Sequence, residues 1–461
     1  MGRQSMPDGS ENTAGKPRPV SLSSRLGYGI GDFGFVMLWQ GGALFLLYFY
    51  TEILGLPAAI AGAIYLAGMI WDAVSDPFVA TWTERKARQI GRYRGLIGSA
   101  ALPLALAYPL LFTTPFETVP LAAAWALATH IAFRTAYTFA SMPYNTMPAR
   151  LTREAGPRNA LAALRVMGAA TGALLVALAS PVLIEALTAQ MGAASAYLVT
   201  ALVIGAAAGF SLWACAGLMS EPRQDMPDTR SNGSPSSYRR DFLRAVRGAL
   251  SDGRFARLMV VMALATISFG LYTQTVLYLV DYHFDRPDLA PLALGMPALV
   301  MIFLAPAWAF LANHLSKPAT MMAGLATAAL GYAGLGLGGA DQPAVGLAFM
   351  ALAAAGNACL PVMFWSLLPD AIDTFEARTG ERIEARMFGL ATFIQKSAAG
   401  LAGLVIGVTL ALAGHTPDTP PDDTVRLAVI LLCSAGPAVC LVTLLWIVRD
   451  YARLKDATAP A

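Results

Sequence analysis

Gly68-Met-Ile-Trp-Asp-Ala-Val-Ser-Asp-Pro77 places two carboxylates, Asp72 and Asp76, inside a long apolar run. Four residues apart on a helix means one face, one turn apart. A carboxylate in a membrane helix costs roughly 2.5–3.5 kcal/mol on insertion scales, so two on one face need a physical reason. Two are open: ion pairing that locks helices together, or a site for a cation or a proton.

The surrounding chain is of the same kind. Of 461 residues, 56% are hydrophobic and 13% charged, whereas a soluble domain is nearer a quarter charged. The chain is therefore a polytopic membrane protein. Its net charge of +3 is small, and the basic residues fall in short loops between apolar runs, which excludes a nucleic-acid face. Cys215, Cys359, Cys433 and Cys440 lie in apolar segments at no metal-ligand spacing and read as small buried hydrophobes. The four histidines are scattered, so no multi-His metal site is expected. No Walker lysine follows a glycine loop, so ATP does not drive the protein. No nucleophile–base pair lies at membrane depth, which leaves a membrane enzyme or a sensor as the lesser classes.

Residues 1–24 read as a disordered polar arm without the apolar core of a signal peptide. Apolar runs of about 20 residues or more then follow. They cover 26–50, 57–82, 95–114, 119–147, 159–184, 194–219, 256–282, 290–312, 319–338, 343–368, 387–413 and 425–448. The fold expected is all-α, with 12 transmembrane helices. Arg85, Lys86, Arg88, Arg92, Arg94, Arg150, Arg153, Arg158, Lys317, Arg378, Arg382 and Arg386 fall in alternate connections. Arg286 and Arg426 are on the other side. That asymmetry puts the first set and both termini in the cytoplasm.

A polar loop from Glu221 to Arg257 divides the helices into two six-helix halves, 25–219 and 256–450, with a tail at 451–461. Within the central segment, 220–255, Tyr238–Leu250 has the pattern of a basic amphipathic helix on anionic headgroups. A weak repeat supports duplication: Asp76-Pro77 in helix 2 has its counterpart in Ala305-Pro306 of helix 8, and Pro143 to Pro148 is echoed by Pro361 to Pro369. Helix 8 carries Met301 and Ala305 where helix 2 has Asp72 and Asp76. Ion chemistry thus belongs to the N-terminal half, and two halves around a midplane site are the plan of a secondary transporter.

Few charges remain at membrane depth: Asp32, Asp72, Asp76, Arg134, Arg165 and Lys396. Asp32, near the start of helix 1, reads as an interfacial residue. Arg134, Thr138 and Ser141, at i, i+4 and i+7, make one polar stripe on helix 4, flanked by Tyr137. Arg134, Arg165 and Lys396 each admit two roles, pairing with a carboxylate or binding an anionic substrate. Lys396 can hold a carboxylate charged and release it when the pair separates, which suits coupling. Trp39 either stacks on a sugar ring or packs.

At this point the residues match a family. The chain resembles the glycoside–pentoside–hexuronide:cation symporters, the melibiose permease type within the major facilitator superfamily. The likeness runs through Tyr28-Gly-Ile-Gly-Asp-Phe-Gly34, Phe49-Tyr-Thr-Glu-Ile-Leu-Gly-Leu56, Trp71-Asp-Ala-Val-Ser-Asp-Pro77 and Gly91-Arg-Tyr-Arg94. It continues through Met142-Pro-Tyr144, Pro369-Asp-Ala-Ile-Asp373, Thr379-Gly-Glu-Arg382 and Phe388 to Lys396. It implies the major facilitator fold, with pseudo-symmetric halves, and a cation held by Asp72, Ser75, Asp76 and Thr138. Asp72 and Asp76 would be the ligands if the ion is a metal. Arg165 and Lys396 match the family's helix 5 arginine and helix 11 lysine.

The departures concern the substrate. The two aspartates that grip a galactoside in the melibiose permease are Val36 and Ser141 here, that site's tryptophan is Asn145, and Arg134 adds a charge where that relative has a small residue. The resemblance therefore implies cation coupling, by sodium or proton, with a hexuronide-like or other sugar solute. A lysophospholipid or similar amphiphilic anion is the alternative. Substrate contacts are expected from Arg134, Tyr137, Ser141, Arg165, Lys396 and Trp39. Arg85, Arg88, Arg92 and Arg150 are expected to gate the cytoplasmic side against Asp370, Asp373 or Glu376. The expected setting is a bacterial inner membrane, the partners are a small solute and the bilayer, and neither a covalent cofactor nor an obligate protein partner is expected.

Overall fold

The computed structural model describes residues 20–152, 155–221, 253–339, 342–379, 384–417 and 419–456. Residues 1–19 of the arm expected over 1–24 and the Tyr238–Leu250 segment lie outside the described residues, while 22–24 are not arm but the first turn of a helix capped by Ser21. The rest is helical: α1 (Leu22–Tyr48, prolonged by a π-turn over Phe49–Ile53), α2 (Ala58–Ile90), α3 (Arg94–Leu110), α4 (Val119–Leu151), α5 (Ala155–Met191) and α6 (Ala193–Leu218). The second half comprises α7 (Gly253–Tyr278, with a π-turn over Leu279–His283), α8 (Ala290–His314), α9 (Lys317–Gly334), α10 (Pro343–Asn357 and Cys359–Thr379), α11 (Glu384–Leu412) and α12 (Asp423–Cys433 and Ala435–Asp456).

Ten of these are long and apolar enough to cross a membrane by length and hydropathy. The other two are α3, with 17 residues, and α4, which has 33 residues but carries His130, Arg134 and Thr138. Twelve crossings result. Several helices outrun their apolar runs. The 33 residues of α2 span about 50 Å at 1.5 Å per residue, against a hydrocarbon core of about 30 Å. Its extra turns, Thr83 to Ile90, are the arginine-rich end, stopped by Gly91 at φ 76° as a left-handed C-cap.

The duplication is visible in the packing. In the first half α1 packs on α5, α2 on α4 and α3 on α6; in the second α7 packs on α11, α8 on α10 and α9 on α12. Each pair maps onto its counterpart by adding six. The halves meet through α2–α11, α5–α8 and α1–α7. Both breaks in the second half follow one rule. A proline lacks the N–H that would bond the carbonyl four residues back, and its ring crowds that carbonyl. Pro361 therefore interrupts α10 after Asn357, and Pro437 interrupts α12 after Cys433.

The halves are latched at the face of the α1–α2 connection. Gly62 and Gly407 allow α2 and α11 to touch backbone to backbone: a Cβ on Gly62 would lie 2.7 Å from the Gly403 carbonyl oxygen, and one on Gly407 would run into that of Ala58. Around this seam, Tyr48 donates to Asp281 Oδ2 at 2.8 Å and Thr51 Oγ1 lies 2.6 Å from the Tyr278 hydroxyl. Tyr282 donates to Glu52, whose Oε1 is 3.0 Å from His415 Nε2. A charge-assisted hydrogen bond contributes about 2 kcal/mol, roughly 30-fold in an equilibrium. We predict that Glu52→Gln shifts the latched face toward opening by about that factor. The measurement is the modification rate, from that face, of a Gln40→Cys thiol by an impermeant reagent. An unchanged rate would refute the latch.

Candidate functional site: a charge cluster joining the halves

Half-way along α2, Pro77 leaves the Ala73 carbonyl without its helical donor, and Asp72, Ser75 and Asp76 line the same stretch. Asp72 is fully buried, and Ser75 is 8% exposed with its hydroxyl donating to the Asp72 carbonyl at 3.2 Å. Thr138 of α4 faces them, 2.9 Å from Asp72 Oδ1 and 3.2 Å from Asp76 Oδ1. A hydroxyl has one proton to give, so Thr138 serves the two carboxylates alternately. From the other half, Lys396 of α11 places Nζ 2.6 Å from Asp76 Oδ2 and 3.0 Å from Asp72 Oδ2. The four residues expected to hold the cation are thus brought together, with the lysine between the carboxylates.

Arg134 approaches the same Asp72 oxygen as Lys396, NH1 to Oδ2 3.9 Å. It donates from Nε to His130 Nε2 at 3.2 Å, and its guanidinium lies 4.8 Å from the Trp39 ring centroid. At 2% exposure it faces protein in this conformation, not a cavity. Trp39 accordingly packs, against Arg134 and Tyr137. Tyr137 is wedged among Phe35, Trp39 and Phe133, and Ser141 turns its hydroxyl back onto the Thr138 carbonyl.

A second pair holds Asp32, which lies three turns into α1 from Leu22 and is 6% exposed. There it accepts from Arg165 Nε at 3.1 Å, beside the stacked rings of Tyr28 and Tyr144. Tyr144 closes the corner by donating to the Tyr28 carbonyl at 2.7 Å. The Arg165 side chain stays 42% exposed, so it keeps donors for something else.

Beside the cluster lies a cavity of about 330 Å³, walled mainly by the second half. Its polar groups are the amides of Gln40, Asn357 and Gln395, the indole of Trp365 and the hydroxyl of Thr266; the rest is mostly methionine, alanine and phenylalanine. Gln40 stands out in the sequence as an amide in helix 1, whereas Asn357, Gln395 and Trp365 do not, since uncharged groups carry no cost signal in an apolar run. Arg85 and Asp373 are exposed and Arg92 is half-buried. The ion pairs Arg88–Glu84, Arg150–Glu221 and Lys317–Asp370 each join residues of one half. Glu221, missed in the sequence, also accepts from the Tyr93 and Arg94 amides at 2.7 and 2.9 Å, capping the N-terminus of α3.

The oxygens of Asp72, Ser75, Asp76 and Thr138 are the hard donors that a sodium ion takes, yet an ammonium and a guanidinium already attend the carboxylates. Among the described residues no cluster of three or more His, Cys, Asp or Glu forms a metal site.

Residues 27–452 match the profile of the family described as MFS/sugar transport protein. The chain belongs to this family. Its relatives include the "uncharacterized symporter YnaJ" of Bacillus subtilis, 26% identical over 94% of this chain and 92% of that one. They also include a "putative sulfoquinovose importer" of Salmonella typhimurium, 27% identical over 91% and 88%, and the "putative glycoside/cation symporter YagG" of Escherichia coli, 25% identical over 96% and 94%. Among solved structures, the nucleoside transporter NupG (D323A mutant) superposes with a TM-score of 0.69 at 12% identity, covering 93% of this chain and 99% of that one. A bacterial homologue of the lysosomal transporter Spinster, inward-facing and occupied, gives 0.69 at 13% identity, over 95% and 98%. The MFS/sugar transport family and the twelve-helix fold make the protein a solute symporter of the major facilitator superfamily.

Proposed function

We propose that the protein carries an anionic sugar or glycoside across a bacterial inner membrane together with a cation, with its arginine-rich face and both termini in the cytoplasm. One observation carries this reading: Lys396 of one half sits between Asp72 and Asp76 of the other. The ion pair must break before the halves can rock apart at this depth, and a lone charge left in a dry interface is costly. An anionic substrate offers Lys396 a replacement partner, and a coupling cation offers Asp76 one. When both arrive, every buried charge remains paired and the barrier falls; when one arrives alone, it stays high. Obligate symport follows from that balance, and no chemical conversion of the solute is called for.

Arg165, half-exposed beside Asp32, is the second anion contact, and the amides lining the cavity would take hydroxyls. The apolar walls of that cavity favour a second reading, in which the anion is amphiphilic, as in a lysophospholipid. The test is uptake into proteoliposomes of a hexuronide, a sulfonated sugar, their neutral analogues and a lysolipid. The anionic sugars are expected to exceed the neutral analogues by roughly tenfold or more, the value of a charge-assisted bond. Arg165→Gln should narrow that gap. Equal uptake of neutral and anionic sugars, or uptake of the lysolipid alone, would overturn the proposal.

A further inference from the structure

The carboxylate pair has two basic neighbours. Lys396 approaches from the second half, its side chain 18% exposed, and meets Asp76, which is 20% exposed. Arg134 approaches Asp72 from inside the first half, where the two side chains are 2% and 0% exposed. The guanidinium is held in a built seat. His130 accepts from its Nε, Trp39 lies over its face, and Gly68 of α2 leaves room for the His130 ring, since a Cβ there would lie 2.5 Å from it. Its NH1, 3.9 Å from Asp72 Oδ2, has no hydrogen-bond partner. The group therefore acts on Asp72 as a charge rather than as a ligand.

An arginine does not lose its proton in a protein, so this charge is permanent. Two carboxylates, one ammonium and one guanidinium sum to zero with no ion added. We propose that Arg134 is a resident countercharge that makes the carboxylate pair indifferent to sodium. This inference rests on the cation-symport reading above and narrows it. A sodium ion entering between Asp72 and Asp76 would have to displace Lys396 and would stand within a few ångströms of a buried positive charge that cannot leave. At the effective dielectric of such sites that repulsion weakens binding by roughly a hundredfold. Thr138 and Ser75 add neutral oxygens, which do not restore the missing negative charge.

The test reads sodium binding directly on the purified full chain, as the thermal shift in sodium chloride against choline chloride at equal ionic strength. Wild type and Arg134→Lys are expected to show no sodium-specific shift. Arg134→Gln is expected to show a saturable one, lost again when Asp76→Asn is added. A saturable sodium-specific shift in wild type overturns the proposal on its own, whatever the folding of the variants. So does an Arg134→Gln protein that melts cooperatively and still ignores sodium. Uptake in sodium-free vesicles separates this inference from the symport reading. Accumulation under a pH gradient without sodium upholds both. Accumulation only under a sodium gradient upholds symport and sinks the resident countercharge. Accumulation under neither sinks symport, and the thermal shift still decides the role of Arg134.

Discussion

Membrane vesicles carrying Asp76→Asn are expected to equilibrate the substrate and never to accumulate it, while wild type concentrates it under an imposed cation gradient. The difference is total for accumulation and small for folding. Asparagine keeps the volume and a hydrogen-bonding oxygen for Thr138, and Lys396 retains Asp72 at 3.0 Å, so no buried charge is stranded. What is lost is the exchangeable charge. Asp76 is the more exposed member of the pair, 20% against 0% for Asp72, and thus the one a cation can reach. With a neutral residue there, the lysine can leave without a cation taking its place, and solute movement is uncoupled from the ion gradient. Counterflow with labelled solute separates the two outcomes: exchange persists in the variant while net uphill uptake disappears. Normal accumulation by the variant would mean that coupling resides elsewhere.

Gly407→Val is expected to stop transport with the protein still folded and inserted. The added Cβ would meet the Ala58 carbonyl oxygen, and that carbonyl belongs to a helix backbone that cannot turn aside. Overpacking of this kind costs about 3 kcal/mol in a state that requires the contact, more than a hundredfold in population. The state without the contact, in which α2 and α11 have separated at the α1–α2 face, is untouched. The variant should therefore be held open toward that face. The Gln40→Cys thiol reports it, by rapid modification that added substrate no longer slows. Wild-type modification rates with intact transport would show that the halves do not close through this seam.

How much of this was legible in the sequence depends on how local the cause is. The twelve spans follow from apolar run length. The approach of Thr138 and Lys396 to Asp72 and Asp76 has a local component too, because a charge at membrane depth is rare and has few places to go. The partner of Asp32 was not legible, because Arg165 comes from α5, 133 positions away. The seat of Arg134 had a signal in His130, four residues before it on the same face, but Trp39 and Gly68 come from other helices and carry no charge to betray them. The latch on the α1–α2 face joins residues more than two hundred positions apart, and no periodicity encodes that. The seam between α2 and α11 did leave a trace in the small residues Gly400, Gly403 and Gly407, which is the pattern of closely packed membrane helices.

Glu221 bears on how force passes between the halves. By capping α3 it fastens the end of the first half to that half's own body, so the covalent link to the second half starts only beyond it. Among the described residues the halves touch through α2–α11, α5–α8 and α1–α7, so any force that one half exerts on the other through these residues is carried as pressure between packed helix surfaces.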